Sequence, residues 1–223
     1  MKTTGIFAPA RLSSERLPRK QLLPIGDTCM FDICCNKLDA IAEMGIPAYV
    51  LISEKELVEI AKRYKNVKIV ERDEETGTVD GPLNYIFKDI LSYSEESHLM
   101  FLNPCLIFLS VETIVSAVNE FNMMSADYAT SLKKFQNWIL DSRMKPLCNI
   151  DYVRLSTKEI EPMYEFANAF HIFNRKNFIK DGMELKEGFR GMFIENSDEC
   201  IDIDTLSDYE FAKWKYENQN NFL

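Results

Sequence analysis

The sequence is poor in residues that several common enzyme classes need. It has two histidines in 223 residues, His98 and His171, and they lie far apart along the chain. A histidine-based zinc site or a Ser-His-Asp triad is therefore a poor candidate. Its eight glycines form neither the GxGxxG pattern of a dinucleotide site nor the Walker sequence of a P-loop. The six cysteines include no CxxC pair, which favours reduced thiols in a cytoplasmic protein.

Long apolar runs and an excess of basic residues are also missing. No apolar stretch approaches the roughly 20 residues that a membrane helix requires, so we expect no membrane partner. The net charge of -9 argues against a nucleic-acid polymer as partner, because phosphate backbones bind basic surfaces. Hydrophobic residues make up 46% of the chain, which is enough to form a core. Without repeats or linkers, we expect one domain over residues 1–223.

Strand and helix patterns alternate along the chain, which favours an α/β fold with a mostly parallel sheet. The predicted strands are TGIFAPA, PAYVLIS, VKIVER, HLMFLN and ADYATSLKKF. The predicted helices are CMFDICCNKLDAIAEMG, EKELVEIAKRYK, GPLNYIFKDILSYS and SVETIVSAVNEFNMM. Residues 136–162 show a weaker pattern, with short strands in WILDSRMKPL and DYVRLS, and FANAFHIFNRKNF predicts a strand that runs into a turn. IDID predicts a strand before a last helix that begins near Ser207.

One loop concentrates positive charge in this acidic chain. Residues 11–20 hold four cations and a single acid, namely Arg11, Glu15, Arg16, Arg19 and Lys20. The loop follows the first predicted strand, and ligands of open α/β sheets bind at the carboxyl ends of strands. Arginine forks and a lysine ammonium bind polyphosphates, and Ser14 adds a hydroxyl donor. The residues alone leave a solvated surface loop as the other interpretation, because Arg and Lys are common on surfaces.

Two carboxylates near the C-terminus form the second candidate site. Asp202 and Asp204 are two residues apart, so in an extended segment both side chains face the same way. Such a pair suits Mg²⁺, which takes oxygen ligands. The residues also fit another interpretation, in which the pair caps the last helix or keeps an edge strand soluble. Together, the cationic loop and the paired carboxylates suggest a nucleoside-triphosphate site with magnesium.

Several motifs, in order along nearly the whole chain, resemble one enzyme family. PARLSSERLPRKQLLPIG resembles the opening of the cytidylyltransferases that activate acidic sugars, such as acylneuraminate and 3-deoxy-manno-octulosonate cytidylyltransferases. The family pattern of Arg, a Ser three residues on and Arg-x-Pro-x-Lys is matched by Arg11, Ser14, Arg16, Pro18 and Lys20. FLNPCLIFLS is similar to the family's Gln-Pro-Thr-Ser-Pro stretch, and IDIDTLSDYEFA is similar to its metal-binding Asp-x-Asp ending.

The resemblance implies a fold, a reaction and a set of residues. The fold is expected to be a three-layer nucleotidyltransferase-type sandwich, with a small antiparallel dimerisation arm at about 136–165 that makes a homodimer. The expected reaction joins CTP and a small acidic sugar into a CMP-sugar and releases pyrophosphate. The implied roles are catalytic for Lys20, Arg11 and Arg16; nucleotide-binding for Ala10, Arg11, Ser14, Arg16, Lys20 and Arg72; acceptor-binding for Asn103, Glu165 and Asn168; and Mg²⁺-binding for Asp202 and Asp204.

The chain departs from the family pattern mainly on the acceptor side. Asn103 replaces a Gln, Cys105-Leu106-Ile107-Phe108 replaces Thr-Ser-Pro-Leu, and Asn168-Ala169 follows Ala167 where the family has Asn-Gly-Ala. Near the phosphates, Leu12-Ser13 replaces Gly-Gly. We therefore expect an active nucleotidyltransferase whose acceptor need not be sialic acid. Two alternatives stay open: a non-sugar acceptor such as a phosphonate or phosphate monoester, and a nucleotide-binding paralogue with weak catalysis.

Overall fold

A computed structural model describes residues 2–73, 83–150, 156–158, 160–182 and 189–218. The strands within these residues are β1 Thr4–Pro9, β2 Pro24–Ile25, β3 Thr28–Cys29, β4 Ala48–Ile52, β5 Lys68–Glu71, β6 His98–Leu102, β7 Tyr128–Phe135, β8 Met163–Asn174 and β9 Arg190–Phe193. The α-helices are α1 Met30–Glu43, α2 Lys55–Ala61, α3 Leu83–Ile86, α4 Lys88–Tyr93, α5 Val111–Met123, α6 Arg175–Asp181 and α7 Leu206–Glu217. Two 3-10 turns cover Lys20–Leu22 and Ser197–Cys200.

Seven of these strands form one sheet in the order β5-β4-β1-β6-β8-β7-β9, and β2 and β3 form a small antiparallel pair. The pairings of β1 with β4 and β6, of β4 with β5 and of β7 with β9 are parallel. Only β8 runs in the opposite direction, antiparallel to both β6 and β7. The prediction of an α/β fold with a mostly parallel central sheet is therefore confirmed.

Helices cover both faces of the sheet because successive strand residues point to opposite sides. Ile6 and Ala8 of β1 belong to a core cluster shared with α1, α2 and α5. Phe7 belongs to a second cluster, on the other face, with Phe87 beside α4 and Phe178 of α6. Both clusters consist of buried apolar side chains, whose removal from water stabilises the fold. The result is the expected three-layer sandwich.

The helix predicted over GPLNYIFKDILSYS is present but is interrupted at Phe87, which separates α3 from α4, and its predicted start at Pro82 lies outside the described residues. Other local predictions are wrong. The turn predicted after FANAFHIF is the helix α6, because the Asn174 side chain caps it by accepting from the N–H groups of Lys176 and Asn177. In the arm, the strand predicted in WILDSRMKPL is reduced to one bridge between Leu140 and Pro146. The second arm strand, DYVRLS, lies outside the described residues except for its last residue.

The predicted strand in IDID is also wrong. No strand partner is found for residues 201–204 in the described part of the chain. The Ile203 side chain is fully buried, and its N–H donates to the carbonyl of Cys105 at 3.3 Å. The following helix begins at Leu206 and is capped by Thr205, whose side chain accepts from the Asp208 N–H in a capping box. Helix capping therefore falls to Thr205 and Asp208, and Asp202 and Asp204 remain for other contacts.

The parallel strands bring four chain segments to one edge of the sheet. The carboxyl ends of β1, β4, β5 and β6 all lie at this edge, because the four strands are parallel and adjacent. The cationic loop follows β1, Arg72 follows β5 and Asn103 follows β6. Candidate site residues from distant parts of the sequence therefore meet here, as expected for an open α/β sheet. No helix in the described part of the chain is long and apolar enough to span a bilayer.

Candidate active site

Main-chain hydrogen bonds anchor the cationic loop at both ends. Ala10 is buried and donates its N–H to the carbonyl of Leu51 in β4 at 3.1 Å. The Leu12 N–H donates to Glu54 Oε1 at 2.6 Å, and the Arg19 N–H returns to the Leu12 carbonyl at 3.1 Å. Arg19 itself adopts a left-handed backbone with φ of 55°, which reverses the chain. The loop therefore keeps a fixed shape although it lacks the two glycines of the family pattern.

The cationic loop meets the C-terminal carboxylates directly. Lys20 Nζ lies 2.8 Å from Asp204 Oδ1 and donates to the Ile203 carbonyl at 3.0 Å. Arg16 Nη2 lies 2.9 Å from Asp204 Oδ2. Lys20 and Asp204 are 184 residues apart in sequence, so only the fold joins them. The convergence that the sequence predicted is therefore present in the structure.

Lys20 is the most enclosed of the loop cations. Its side chain is 14% exposed, whereas that of Arg16 is 67% exposed. Burial opposes the lysine charge, but the adjacent Cys105 and Asp204 raise the pKa of Lys20 above its ordinary value overall. Lys20 therefore carries a fixed positive charge at the base of the loop, where desolvation strengthens its interactions.

Asp202 has one carboxylate oxygen paired and the other unpaired. Asn103 Nδ2 donates to Asp202 Oδ2 at 3.3 Å, whereas Asp202 Oδ1 is buried and has no hydrogen-bond partner. Burial, followed by the charge of Asp204, raises the pKa of Asp202 above its ordinary value. A buried carboxylate oxygen without a donor is costly. The arrangement therefore suits a positively charged ligand at Asp202.

A bulge in β8 lies at the same edge of the sheet. The register between β7 and β8 shifts between Thr130 and Leu132, and Asn168 is exposed there with a left-handed φ of 51°. The bulge is anchored by the buried Ser131 hydroxyl, which accepts from the N–H groups of Ala169 at 3.0 Å and Phe170 at 3.1 Å. The left-handed backbone turns Asn168 out of the sheet. The next residue is Ala169, whose carbonyl accepts from the Asn103 N–H.

The two other acceptor-side predictions are less directly placed. Glu165 is exposed on β8, and its Oε1 lies 3.2 Å from Lys133 Nζ. Neither Glu165 nor Asn168 is among the described residues that line the cleft. Their role toward an acceptor therefore stays a prediction.

Arg72 lies near Arg11, the first residue of the cationic loop. Arg72 is buried after β5 and donates its N–H to the Ile52 carbonyl at 2.9 Å. Burial lowers the pKa of the Arg72 guanidinium, and the nearby charge of Arg11 adds to this, while Glu54 opposes it. Arg11 is exposed. The two guanidinium groups therefore add to the positive charge of the cationic loop.

The cationic loop and the residues at the end of β6 line an open cleft of about 570 Å³, called the active-site cleft below. Five predicted nucleotide-binding residues line it together with Asn103, and Arg72 lies near one of them, Arg11. The lining residues include Ala10, Arg11, Ser14, Arg16, Lys20, Phe101, Asn103 and Cys105. Its volume is in the range of small-molecule sites. Its cations suit a polyphosphate. Asp202 and Asp204 are not among the described lining residues, but they contact Asn103, Arg16 and Lys20, which are, and they suit the metal of such a ligand.

Sequence reasoning missed three residues that shape the cleft. Glu54 fixes the Leu12 N–H, Gln21 donates from Nε2 to Cys105 Sγ at 3.4 Å, and Phe101 lines the cleft. The position of Glu54, directly after a predicted strand, was an available signal. Gln21 and Phe101 carried none, because an amide beside a cation and an aromatic residue in a strand both occur in any fold.

Comparisons with known proteins show which proteins this chain resembles in sequence and in fold. The chain is 19% identical over 222 residues to the pseudaminic acid cytidylyltransferase of Campylobacter jejuni, covering 93% of this chain and 94% of that protein. Its fold matches a CMP:2-keto-3-deoxy-manno-octonic acid synthetase complexed with CTP with a TM-score of 0.68 at 13% identity, covering 98% and 100% of the two chains. It also matches 4-diphosphocytidyl-2C-methyl-D-erythritol synthase from Anaerococcus prevotii with a TM-score of 0.67 at 14% identity, covering 97% and 99%.

A family model also matches nearly the whole chain. It describes cytidylyltransferases and covers residues 6–222, which include the cationic loop, Asn103 and both candidate metal ligands. Because it spans nearly the whole chain, this protein belongs to the cytidylyltransferase family and is a nucleotidyltransferase.

Proposed function

We propose that this protein transfers the cytidylyl group of CTP to an acidic sugar, forming a CMP-sugar and pyrophosphate. One observation carries the proposal: Lys20 and Arg16 contact Asp204 within 3 Å, with the partly unpaired Asp202 two residues away. A triphosphate needs fixed cations, and its metal needs carboxylates. Arg16 and Lys20 line the cleft, and the carboxylate of Asp204 contacts both of them.

In the proposed reaction, a hydroxyl oxygen of the sugar attacks the α-phosphorus of CTP. A new phosphorus–oxygen bond forms, the bond to the bridging oxygen breaks, and pyrophosphate leaves with the electron pair while the hydroxyl loses its proton. Negative charge grows on the bridging oxygen. Lys20 and Arg16, already held in place, stabilise that charge without reorganisation. Arg11, at the start of the loop, and Arg72, after β5, supply further positive charge.

The residues present fit a bound Mg²⁺ at Asp202 and Asp204. The buried, unpaired Asp202 Oδ1 is the observation that favours it. Among the described residues no group of three or more possible metal-ligating side chains occurs, so the remaining ligands would come from phosphate oxygens and water, which is usual for Mg²⁺. When bound, the ion would supply charge neutralisation of the phosphates.

Asp204 holds the two cations until the nucleotide arrives. Without a ligand, its two oxygens neutralise Lys20 and Arg16. Phosphate oxygens compete for the same donors, because N–H donors bind anionic oxygens of either kind. CTP would therefore compete with Asp204 for Lys20 and Arg16, and Asp204 would then be available to hold a metal ion.

An acidic acceptor is supported by the charge of the cleft and by the curated relative, which is named for pseudaminic acid. A carboxylate on the acceptor would be attracted by the net positive charge of the cleft lining. We further propose that the chain works as one domain and forms a homodimer through its arm.

The test is an acceptor panel in the presence of CTP and Mg²⁺, with release of pyrophosphate as the readout. Nonulosonic and ulosonic acids are compared with phosphate monoesters and phosphonates. Turnover with an acidic sugar supports the proposal, and turnover with a phosphate monoester alone would replace the acceptor class. A thermal-shift comparison of CTP, ATP, GTP and UTP measures nucleotide binding separately. A protein that is not stabilised by CTP and releases no pyrophosphate with any acceptor would refute the activity.

Lys20 and Arg19 form a matched pair for testing the catalytic assignment. Lys20 contacts Asp204, whereas the adjacent Arg19 pairs with Glu56 at 3.2 Å outside the cleft. Lys20→Gln is expected to lower kcat by about 10²–10³-fold, as for other preorganised charges. Arg19→Gln removes the same charge from the same loop and should leave kcat within about threefold, because exposed ion pairs contribute little. Equal losses in the two variants would mean that only net loop charge matters.

A further inference from the structure

The side chain of Asn103 makes one hydrogen bond at each end of its amide and links the active-site cleft to Asp202. Its Oδ1 accepts from the Cys105 N–H at 3.0 Å. Its Nδ2 donates to Asp202 Oδ2 at 3.3 Å. The orientation follows from chemistry, because a main-chain N–H can only donate and a carboxylate can only accept. Asn103 therefore bridges the end of β6 and the candidate metal ligand.

The main chain of Asn103 is fixed as well. Its N–H donates to the Ala169 carbonyl at 2.9 Å in the β8 bulge, and that bulge is held by the buried Ser131. The side chain closes a turn onto the N–H two residues ahead, which is a geometry that Asn and Asp favour. The amide is thus anchored on one side before it reaches Asp202.

The consequence for Asp202 is a fixed carboxylate with one free oxygen. Asn103 occupies Oδ2, and Oδ1 is left buried without a partner. The neighbouring Ile203 N–H is tied to the Cys105 carbonyl, so the same short segment also sets the main chain between the two carboxylates. Groups that hydrogen-bond a metal-binding carboxylate orient it and tune its affinity.

We propose that Asn103 is a positioning residue that presents Asp202 to a divalent cation. This role differs from the acceptor contact that the family resemblance implies for the same position. It rests on the proposed function, since it concerns the metal of that site. The affinity of the site for the metal therefore depends on the Asn103 amide, whereas recognition of the acceptor depends on it little.

Two variants separate the two hydrogen bonds of the amide. Asn103→Ser keeps an oxygen that can accept from the Cys105 N–H, because serine forms a similar turn, but it cannot reach Asp202. Asn103→Ala removes both bonds. Asp202→Asn removes the charge of the proposed ligand itself. Asn119→Ala, an exposed asparagine on α5, is the control for loss of an amide elsewhere.

The experiment is a Mn²⁺ titration followed by electron paramagnetic resonance, with CTP present and no acceptor, so that it does not depend on turnover. The wild type and Asn119→Ala should bind Mn²⁺ equally. Both Asn103 variants should bind it about 10–100-fold more weakly, as for other groups that orient metal ligands. In a parallel assay, the Mn²⁺ concentration needed for half-maximal activity should rise while KM for the acceptor changes by less than about threefold.

Three results would overturn the inference. The first is wild-type Mn²⁺ affinity in Asn103→Ser combined with a loss in Asn103→Ala, which would mean that only the turn matters. The second is unchanged affinity in both variants while Asp202→Asn loses the ion. The third is a raised KM for the acceptor with unchanged Mn²⁺ affinity. Failure of the proposed function looks different: the wild type itself would then bind no Mn²⁺ with CTP, and Asp202→Asn would change nothing. If Asn103→Ala does not fold, Asn103→Ser alone decides.

Discussion

At the scale of single residues, Asp204 combines two kinds of contact. It pairs with Lys20 at 2.8 Å and Arg16 at 2.9 Å, and it is also a proposed metal ligand. In the nucleotide-free chain it therefore competes with phosphate for both cations. One carboxylate thus weakens binding of the bare triphosphate while it supports binding of the metal complex.

Asp204→Asn should separate these two effects. Without its charge, Lys20 and Arg16 are free for phosphate, so metal-free CTP in EDTA should bind about 3–10-fold more tightly, or roughly 1 kcal/mol. With magnesium, kcat should fall about 10²–10³-fold, because the carboxylate is missing from the reacting complex. Isothermal titration calorimetry and pyrophosphate release measure the two quantities.

The control for this substitution is Asp198→Asn, which removes one negative charge from an exposed pair with Lys215. It corrects for the change in net charge. If Asp204→Asn binds metal-free CTP no more tightly than Asp198→Asn does, Asp204 does not compete with the nucleotide.

At the scale of elements, the sequence predicts what is periodic and misses what is held by tertiary contacts. Ile6, Phe7 and Ala8 alternate between the two core clusters, and such alternation is readable from the sequence. The segment around Ile203 is different. Its apolar and charged residues alternate as in a strand. The Ile203 N–H, however, donates to the Cys105 carbonyl, and the Ile203 carbonyl accepts from Lys20 Nζ. Nothing local shows that its partners are a loop and a side chain.

The candidate site shows the same division. The meeting of Lys20 with Asp204 is predictable, since one follows the first strand and both belong to motifs of one family. The pairing of Asn103 with Asp202 is not predictable from the sequence. It depends on a bulge in β8 and on an asparagine rotamer, which no periodic pattern encodes.

The β8 bulge gives a testable prediction at this scale. The Ser131 hydroxyl accepts from the N–H groups of Ala169 and Phe170 and donates to the Phe170 carbonyl at 3.1 Å. Ser131→Ala should lower the free energy of unfolding by about 1–3 kcal/mol, because it leaves buried donors unpaired. Urea denaturation measures this change. Ser116→Ala, at an exposed position of α5, should change it by less than about 0.5 kcal/mol. A similarly small effect of Ser131→Ala would show that the bulge does not need the hydroxyl.

At the scale of the whole molecule, the described part of the arm exposes a group of large apolar side chains. Leu140, Met144 and Leu147 are 47%, 73% and 61% exposed within one short turn. Tyr164 of the arm and Phe193 of β9 form a further exposed aromatic pair, with ring centroids 4.7 Å apart. Clusters of exposed apolar side chains mark interaction surfaces, whereas single ones are common. This surface supports the proposed homodimer, because a second copy would remove it from water.

The dimer is tested by placing charges on the arm. Met144→Asp combined with Leu147→Asp should raise the dissociation constant of the dimer at least about 100-fold, since buried like charges in an interface cost several kcal/mol. Size-exclusion chromatography with light scattering measures the mass over a range of concentrations. Met123→Asp is the matched control, because Met123 is 82% exposed at the end of α5 and lies outside the arm. A wild-type protein that stays monomeric at high concentration, or a Met123→Asp variant that dissociates equally, would show that the arm does not join two chains. If the double variant becomes a monomer and still binds CTP, then the nucleotide site is complete within one chain.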